Sequence, residues 1–453
     1  MKQYLTFFLM PLLFCSCLKY LDINSNPALA IPNTVQGYRE LIDNDLITNN
    51  NTPGLGHLGS DDYMLTTATW KNTETIPKNA YIWNPDIFGN EEVLSWSNPY
   101  EVVYYCNVVL DGLPHLKVYD TASQAEYNAV LGTAMFVRAF QFYALQETFG
   151  QPWRPSSADR DLGIPLRLAP DPHQQVGRSS VQKVYDRILL DAKSSIALLP
   201  AAVQFAHRNR PCKPAAYALI SRAYLSMQQY DSAKVYTDSC LLYYDKLVDY
   251  NELNLSANRP FPIGGNDEVL YQCTAVNFKA QYLPSSEVDT GLYTSYADND
   301  LRKTVFFRLT ATGGHYFRGQ YSGKVYLFSG LAMDELYLTR AECYARLGRI
   351  DDAMNDLNTL LARRWKTGTF QLYTATTSDE ALQQILMERR KETLFRETRW
   401  ADLRRLNQDA HYSVHLRRVV NDSIYTLMPD NPRYAYPIPK EEVRLSGIEQ
   451  NPR

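Results

Sequence analysis

The 453 residues include seven cysteines, and no two of them form a C-x-x-C pair. Without that spacing a structural zinc site or a disulfide framework has little support. The five scattered ones, Cys106, Cys212, Cys240, Cys273 and Cys343, read as buried free thiols. Past the N-terminal segment no stretch reaches the roughly 18 apolar residues of a spanning helix. An excess of positive charge is also missing. With 46 Lys and Arg against 49 Asp and Glu the net charge is −3, whereas a nucleic-acid binder is usually strongly basic. H-E-x-x-H, G-x-S-x-G and a glycine-rich phosphate loop are all absent. Of the seven histidines, His411 and His415 are four apart and could share a helix face, but no cysteine or acidic pattern accompanies them. Asp61 and Asp62 stand side by side in SDDYM (60–64). Adjacent residues point apart in regular structure, whereas a glycosidase needs two carboxylates facing one bond. No catalytic residue, no metal ligand and no cofactor is therefore expected.

What is present begins at the N-terminus. Lys2 carries one positive charge, Tyr4 to Phe14 is almost entirely apolar, and the small Ser16 directly precedes Cys17. The apolar run has the length of a signal-peptide core and is too short to span a bilayer. Followed by Ser16 and Cys17, it resembles a bacterial lipobox, in which the signal is removed and the cysteine becomes the lipidated first residue. The expectation is a lipoprotein signal peptide over residues 1–16 and an anchor at Cys17. A Cys15–Cys17 disulfide is disfavoured by its geometry. Each buried methylene contributes roughly 0.8 kcal/mol and a single chain anchors only marginally, so the several acyl chains of a lipoprotein cysteine anchor firmly.

The remainder alternates between two textures. Helical periodicity marks 98–112, 123–149, 180–199, 214–227, 231–244, 332–347, 350–364 and 379–407. Eight of the 21 glycines fall within 250–330, which reads as loops and short strands, as does the irregular stretch before Trp96. Two helical pairs share an internal spacing. Tyr217, Ser221, Tyr224 and Ala233 in the first match Tyr337, Ala341, Tyr344 and Ala353 in the second. This is the tetratricopeptide pattern, in which small residues permit close helix crossing and aromatics fill the groove. Such pairs must stack to bury their faces, so their wide separation in sequence implies a helical scaffold interrupted by long insertions. The reading is one domain over 17–453, with scaffold helices at about 98–245 and 332–407 and insertions at about 50–97 and 250–330. Within ERRKETLFRETRWADLRR (388–405), charge pairs at helical spacing are expected, such as Glu388 with Lys391 and Glu392 with Arg396.

Four ordered segments carry a resemblance to a known family: MFVRAFQFYALQETFGQPW (135–153), ELYLTRAECYARLGRIDDAMNDLNTLLARR (335–364), ILMERRKETLFRETRWADLRR (385–405) and YPIPKEEVRLSGIEQNPR (436–453). Together with the lipobox and the KYLD that follows it, they resemble the SusD/RagB outer-membrane lipoproteins over essentially the whole chain. The sequence departs from the pattern at Arg396–Glu397, where a Glu-Gly pair is common. The resemblance implies a mostly α fold, a tetratricopeptide-like helical-pair scaffold with long irregular loop and short-strand insertions. It further implies a lipid-anchored protein of the outer membrane, facing outward, that catalyses nothing. Such a protein captures a nutrient, most often an oligosaccharide and sometimes a peptide, and delivers it to a SusC/RagA-like TonB-dependent transporter. A tetratricopeptide-like adaptor that binds only proteins and a secreted hydrolase are the competing readings.

The family has no shared ligand-contact motif, so the binding face is sought among aromatics that repeat spacing does not explain. Trp70, Tyr81 and Trp83 lie in a polar, Asn- and Thr-rich stretch, and Tyr293, Tyr296, Tyr316 and Tyr321 lie beside flexible glycines. Each is a candidate platform for the apolar face of a sugar ring or a peptide side chain, with nearby polar groups orienting the ligand.

Overall fold

Long helices carry the middle of the chain, and several begin where the sequence supplies a cap. In the computed structural model, which describes residues 32–281 and 286–453, helix Thr121–Phe149 starts with the Asp120 carboxylate accepting from the Ser123 amide at 2.9 Å. Ser180 caps Val181–Ile196 in the same way. At Ser378–Glu392 the Thr377 side chain accepts from Glu380 N while the Glu380 carboxylate reaches back to Thr376 N, a reciprocal cap. The signal segment 1–16 and Cys17 lie outside the described residues.

The helices Leu94–Gly112, Thr121–Phe149, Val181–Ile196, Lys213–Ser226 and Tyr230–Tyr243 pack each against the next. Tyr230–Tyr243 then packs on Met333–Arg346, although the whole 250–330 segment intervenes in sequence. Met333–Arg346 in turn packs against Ile350–Leu361 and Ser378–Glu392. Close crossing within each pair rests on the small residues. Ser221 donates to the Ala233 carbonyl at 3.0 Å, and Ala341 and Ala353 are fully buried in the second pair. The turns between partners use left-handed backbone, at Gln228 (φ 57°) and at Gly348 (φ 76°), where only glycine adopts it freely. Arg340 ties the pairs together by bonding both Asp356 and Asp238.

Among the described residues, strands occur as five antiparallel two-stranded pieces. One joins distant segments, with Tyr63 opposite Val288 and Leu65 opposite Ser286. Another is the hairpin Leu416–Val420 with Ser423–Leu427, turned by Asn421 and Asp422, both at positive φ, a turn whose twist matches that of the strands. The irregular segments have their own core, rich in aromatics: Tyr63, Tyr81, Tyr250, Phe261, Tyr296, Phe306, Phe307, Tyr321 and Phe328.

The charged segment near the C-terminus differs from the single helix 379–407 expected from sequence. Helix Ser378–Glu392 ends, and Thr398–Leu406 begins after a turn in which Phe395 and Glu397 have φ of 59° and 61°. The turn is held by packing, because the Phe395 ring lies 4.7 Å from Phe317 and 4.3 Å from His57 between ring centres. Glu397 thus occupies the left-handed position at which the family pattern commonly has glycine. Glu388 does pair with Lys391 at 2.6 Å. Glu392, however, faces inward to Arg302 and Arg364, and Arg396 meets Asp334 at 2.6 Å. The helix break turns these charges into the interior, where each meets a partner from the insertion or a neighbouring helix.

Candidate functional site

The pairing of strand Tyr63–Leu65 with Ser286–Val288 sets two insertions side by side, and the C-terminal hairpin closes over them. Between them lies an open hollow of about 390 Å³, within the size range of small-ligand sites. One wall is Tyr63, Tyr81 and Trp83. A second is Glu287 and Asp289, and the third is strand Leu416–Val419. The aromatic wall is rigid. The buried Arg418 guanidinium lies 3.8 Å from the Tyr81 ring centre and 4.8 Å from that of Trp83, and it donates to the carbonyls of Leu58, Ser60 and Tyr81. Alternation along the strand turns Arg417 and Val419 outward while Arg418 is buried.

The acidic wall is equally well placed. The Glu287 carboxylate accepts from Thr312 at 2.8 Å and sits against Gly314, where any side chain would collide with it. The Asp289 carboxylate accepts from the Leu292 amide at 2.8 Å and caps the short turn that carries Tyr293. Behind them, Arg399 and Arg390 hold Asp61 well below the usual carboxylate range, although burial alone would raise it. Burial pushes its neighbour Asp62 up to about 6.

The seven aromatic candidates divide. Tyr81 and Trp83 border the hollow but are only 3% exposed, and their ring faces are covered. The Tyr81 hydroxyl accepts from Leu65 N, and Trp83 Nε1 donates to the Gly59 carbonyl. Tyr296 and Tyr321 are sealed in the core. The Tyr296 hydroxyl donates to the Lys391 carbonyl and the Tyr321 hydroxyl to Glu268. For these four the expectation of an open platform is corrected: each places its polar atom on an internal partner, and each ring is packed into the buried core. Trp70, Tyr293 and Tyr316 remain half-buried. Tyr293 stacks on His315 with ring centres 3.6 Å apart, and His315 lies close enough to Glu287 to feel its charge. Trp70 is oriented by a bond from Nε1 to the Lys78 carbonyl, and its helix Thr67–Asn72 meets the hairpin turn where Asn421 N donates to Thr67. Tyr316 pairs with Arg308 across strands Phe307–Leu309 and His315–Phe317 and alternates away from His315.

Sequence reading missed Tyr63, Glu287, Asp289, Arg417 and Arg418. In LRRVV the two adjacent arginines read alike, and the alternation that buries Arg418 and exposes Arg417 exists only once the strand has formed. Nothing local announces Glu287, which joins the site only through a strand partner far away in sequence.

The described residues contain one close group of carboxylates that suits a metal ion, Glu268, Asp334 and Glu392, with oxygens within 4.8 Å of one another. Guanidinium groups already meet these charges: Arg364 reaches Glu268 and Glu392, and Arg396 reaches Asp334. No described helix is long and apolar enough to cross a membrane.

Two family models match the chain. One, SusD-like_3, described as starch-binding associating with outer membrane, matches residues 19–225. The other, SusD_RagB, the SusD family, matches residues 333–453. No curated protein matches it. A SusD superfamily protein from Bacteroides thetaiotaomicron is 20% identical with a TM-score of 0.76, covering 93% of this chain and 100% of that one. A putative sugar binding protein from Bacteroides vulgatus is 20% identical with a TM-score of 0.73, over 93% of this chain and 99% of that one. A laminarin binding SusD-like protein is 17% identical with a TM-score of 0.69, over 92% of this chain and 98% of that one. At these identities the likeness is one of fold.

Proposed function

Since this chain belongs to the SusD/RagB family, we propose that it is a lipid-anchored protein of the outer membrane that binds an oligosaccharide in the hollow between its two insertions. It passes that ligand to a TonB-dependent transporter and carries out no reaction itself. Residues 17–453 act as one binding domain, anchored at Cys17 after removal of 1–16.

The observation that carries this reading is the composition of the hollow. Carboxylates of Glu287 and Asp289 are fixed on one side by threonine hydroxyls and a helix cap. The half-buried Tyr293–His315 stack stands beside Glu287, and a braced aromatic wall stands opposite. Carboxylates accept from paired sugar hydroxyls, and an aromatic ring at the rim receives the apolar face of a pyranose. Two of the structural relatives carry sugar or laminarin binding in their descriptions, and that chemistry agrees with this site.

Calorimetry with neutral oligosaccharides of storage and cell-wall glycans tests the reading. At least one series binds with a Kd on the order of 1 µM to 1 mM, and Glu287→Gln weakens it about tenfold. If short peptides bind and no glycan does, the ligand class is wrong. Cys17→Ala moves the protein out of the membrane fraction. Retention there in cells lacking the transporter would show that another anchor operates.

A further inference from the structure

Arg390 and Arg399 belong to the charge-rich segment 388–405, where sequence suggests pairs along a helix face. The structure sends both to one short stretch of chain instead. The Arg399 guanidinium grips the Asp61 carboxylate with two bonds, at 2.7 and 2.8 Å. Arg390 donates to the Asp61 carbonyl at 2.7 Å and reaches the Asp62 carboxylate at 3.4 Å. From the hairpin, Arg418 donates to the carbonyls of Leu58 and Ser60. Residues 58–62 are therefore held between helices Ser378–Glu392 and Thr398–Leu406 on one hand and strand Leu416–Val420 on the other.

This stretch runs into the hollow beside Glu287. Asp61 and Tyr63 line that hollow. The Asp62 carbonyl accepts from Asp289 N at 3.0 Å, and Asp289 belongs to the acidic wall. Tyr63 then pairs with Val288 in the ladder. The wall that carries Glu287 and Asp289 thus hangs on backbone whose place is set by two guanidinium groups. A two-pronged guanidinium–carboxylate pair fixes orientation as well as distance. Arg399 makes such a pair with Asp61, whereas the contact from Arg390 to Asp62 is single and long, which makes Asp62 the weak joint.

We propose that Arg390 and Asp62 are positioning residues of this hollow, and that the charge on Asp62 couples ligand affinity to pH. The inference rests on the reading of the hollow as the ligand site. Asp62 is 1% exposed, and burial pushes its carboxyl up to about 6. The charged groups facing it are Arg390 from one helix, Arg399 from the next, Glu397 from the turn between them and Asp61 beside it in the chain. With Asp62 ionised, two guanidinium groups meet two carboxylates, and Arg390 Nε has its acceptor. With Asp62 protonated, Arg390 is drawn to Asp61 alone, and the strut from Asp62 to Asp289 loosens. The ionised form keeps the wall in place, so the ligand binds it more tightly. By linkage the ligand makes Asp62 a stronger acid in return. Affinity therefore falls as pH drops through about 6.

The first measurement needs no ligand. Hydrogen exchange over residues 286–289, corrected for its intrinsic pH dependence, loses about tenfold protection from pH 7 to pH 5. Asp62→Asn shows the low protection at both. The second is calorimetry with maltohexaose, laminarihexaose and xylohexaose, all uncharged, so that any pH dependence belongs to the protein. The glycan that binds does so about fivefold more weakly at pH 5 than at pH 7, as a one-unit change in the acidity of Asp62 requires. Asp62→Asn binds about tenfold more weakly than the parent at pH 7 and has no pH step. Arg390→Gln is weakened as much, and Arg390→Lys, which can still reach the Asp61 carbonyl, recovers most of the loss. Burial lowers His315 from its ordinary 6.5, and it stands near Glu287, so it is the other group that could titrate here. His315→Gln, whatever it costs in affinity, keeps the pH step. The proposal is overturned if protection is the same at both pH values, if Asp62→Asn keeps the step, if His315→Gln removes it, or if Arg390→Lys is no better than Arg390→Gln. Exchange that follows Asp62 in a protein that binds none of the glycans supports the coupling and refutes the glycan reading alone. Glycan binding without a pH step refutes the coupling alone.

Discussion

The tyrosines of the helical pairs are, as a group, more open than the aromatics of the irregular insertions, the reverse of what their sequence settings suggest. Tyr243 is 48% exposed and Tyr217 and Tyr344 are half-buried, whereas Tyr81, Trp83, Tyr296 and Tyr321 are all at or below 3%. The helices bury alanines and leucines at their crossings, so their tyrosines sit at the seam, where cations cover the rings. Lys193 stands 5.2 Å from the Tyr224 ring centre, and Arg349 stands 4.5 Å from that of Tyr344. The insertions have few regular backbone ladders, and aromatics make up half of their buried core. Their large rings supply the core, and the polar tips of those rings satisfy loop carbonyls and carboxylates. A repeat spacing therefore marks packing position without guaranteeing deep burial, and a polar loop does not expose its aromatics.

The sharpest way to break this contrast is to truncate one ring of each kind. Tyr321→Ala removes a fully buried ring, its bond to Glu268 and the surface on which the Arg396 guanidinium lies 3.6 Å from the ring centre. The expected loss is about 3–5 kcal/mol in chemical denaturation. Tyr344→Ala removes a half-buried ring with cation contacts, and the expected loss is about 1 kcal/mol. Equal losses would show that the two populations do the same job.

Much of the scaffold was legible because a 3.6-residue period is a local signal. The turn at Phe395–Glu397 was not. Its cause is tertiary, a phenylalanine drawn between Phe317 and His57, and the only cue was the departure from a Glu-Gly pair. Of the hollow, Tyr81 and Trp83 were found for the wrong reason, as open platforms. Glu287 and Asp289 stayed invisible because the strand partner that brings them there, Tyr63–Leu65, lies in the other insertion. Sequence texture reports on neighbours along the chain, and this site is made across it.

The same turn predicts a pH dependence that separates the two regions. Burial pushes Glu397 up to about 8 from its ordinary 4.5, with its carboxylate accepting only from His57 N. A folded-state value above the unfolded one gives stability that is fully present below about 4.5 and is lost as pH rises toward 8. Burial lowers the adjacent His57 to about 3 from 6.5, and its contribution is lost in the opposite direction, as pH falls from 6.5 toward 3. Each slope reaches at most about 1.4 kcal/mol per pH unit. Glu397→Gln flattens the alkaline side and His57→Gln the acid side, measured by urea denaturation from pH 4 to 9. An unchanged alkaline slope in Glu397→Gln means that this carboxyl does not titrate in the window. Substitutions at Lys193 or Arg349, which cover the rings of Tyr224 and Tyr344 at the helical seam, leave both slopes as they are.

The smallest effect, and the finest test of the contrast, lies within one short stretch. Tyr293 and Tyr296 are three residues apart, yet Tyr296 is 1% exposed with its hydroxyl bonded to the Lys391 carbonyl, while Tyr293 is half-buried on His315 beside Glu287. Tyr296 is a structural ring, whereas Tyr293 stacks on the histidine that stands beside the acidic wall of the hollow. Tyr293→Ala therefore weakens binding of the glycan about tenfold, or about 1.4 kcal/mol, while changing stability by less than about 1 kcal/mol. Tyr296→Ala does the reverse, with a stability loss of about 3–5 kcal/mol and, in the fraction that remains folded, an affinity close to that of the parent. Calorimetry and denaturation on the same two variants read both axes. If Tyr293→Ala destabilises as much as Tyr296→Ala, the rim ring is core after all. If it leaves affinity untouched, the ligand does not stack there, and Trp70 on the other side of the hairpin turn becomes the ring to remove.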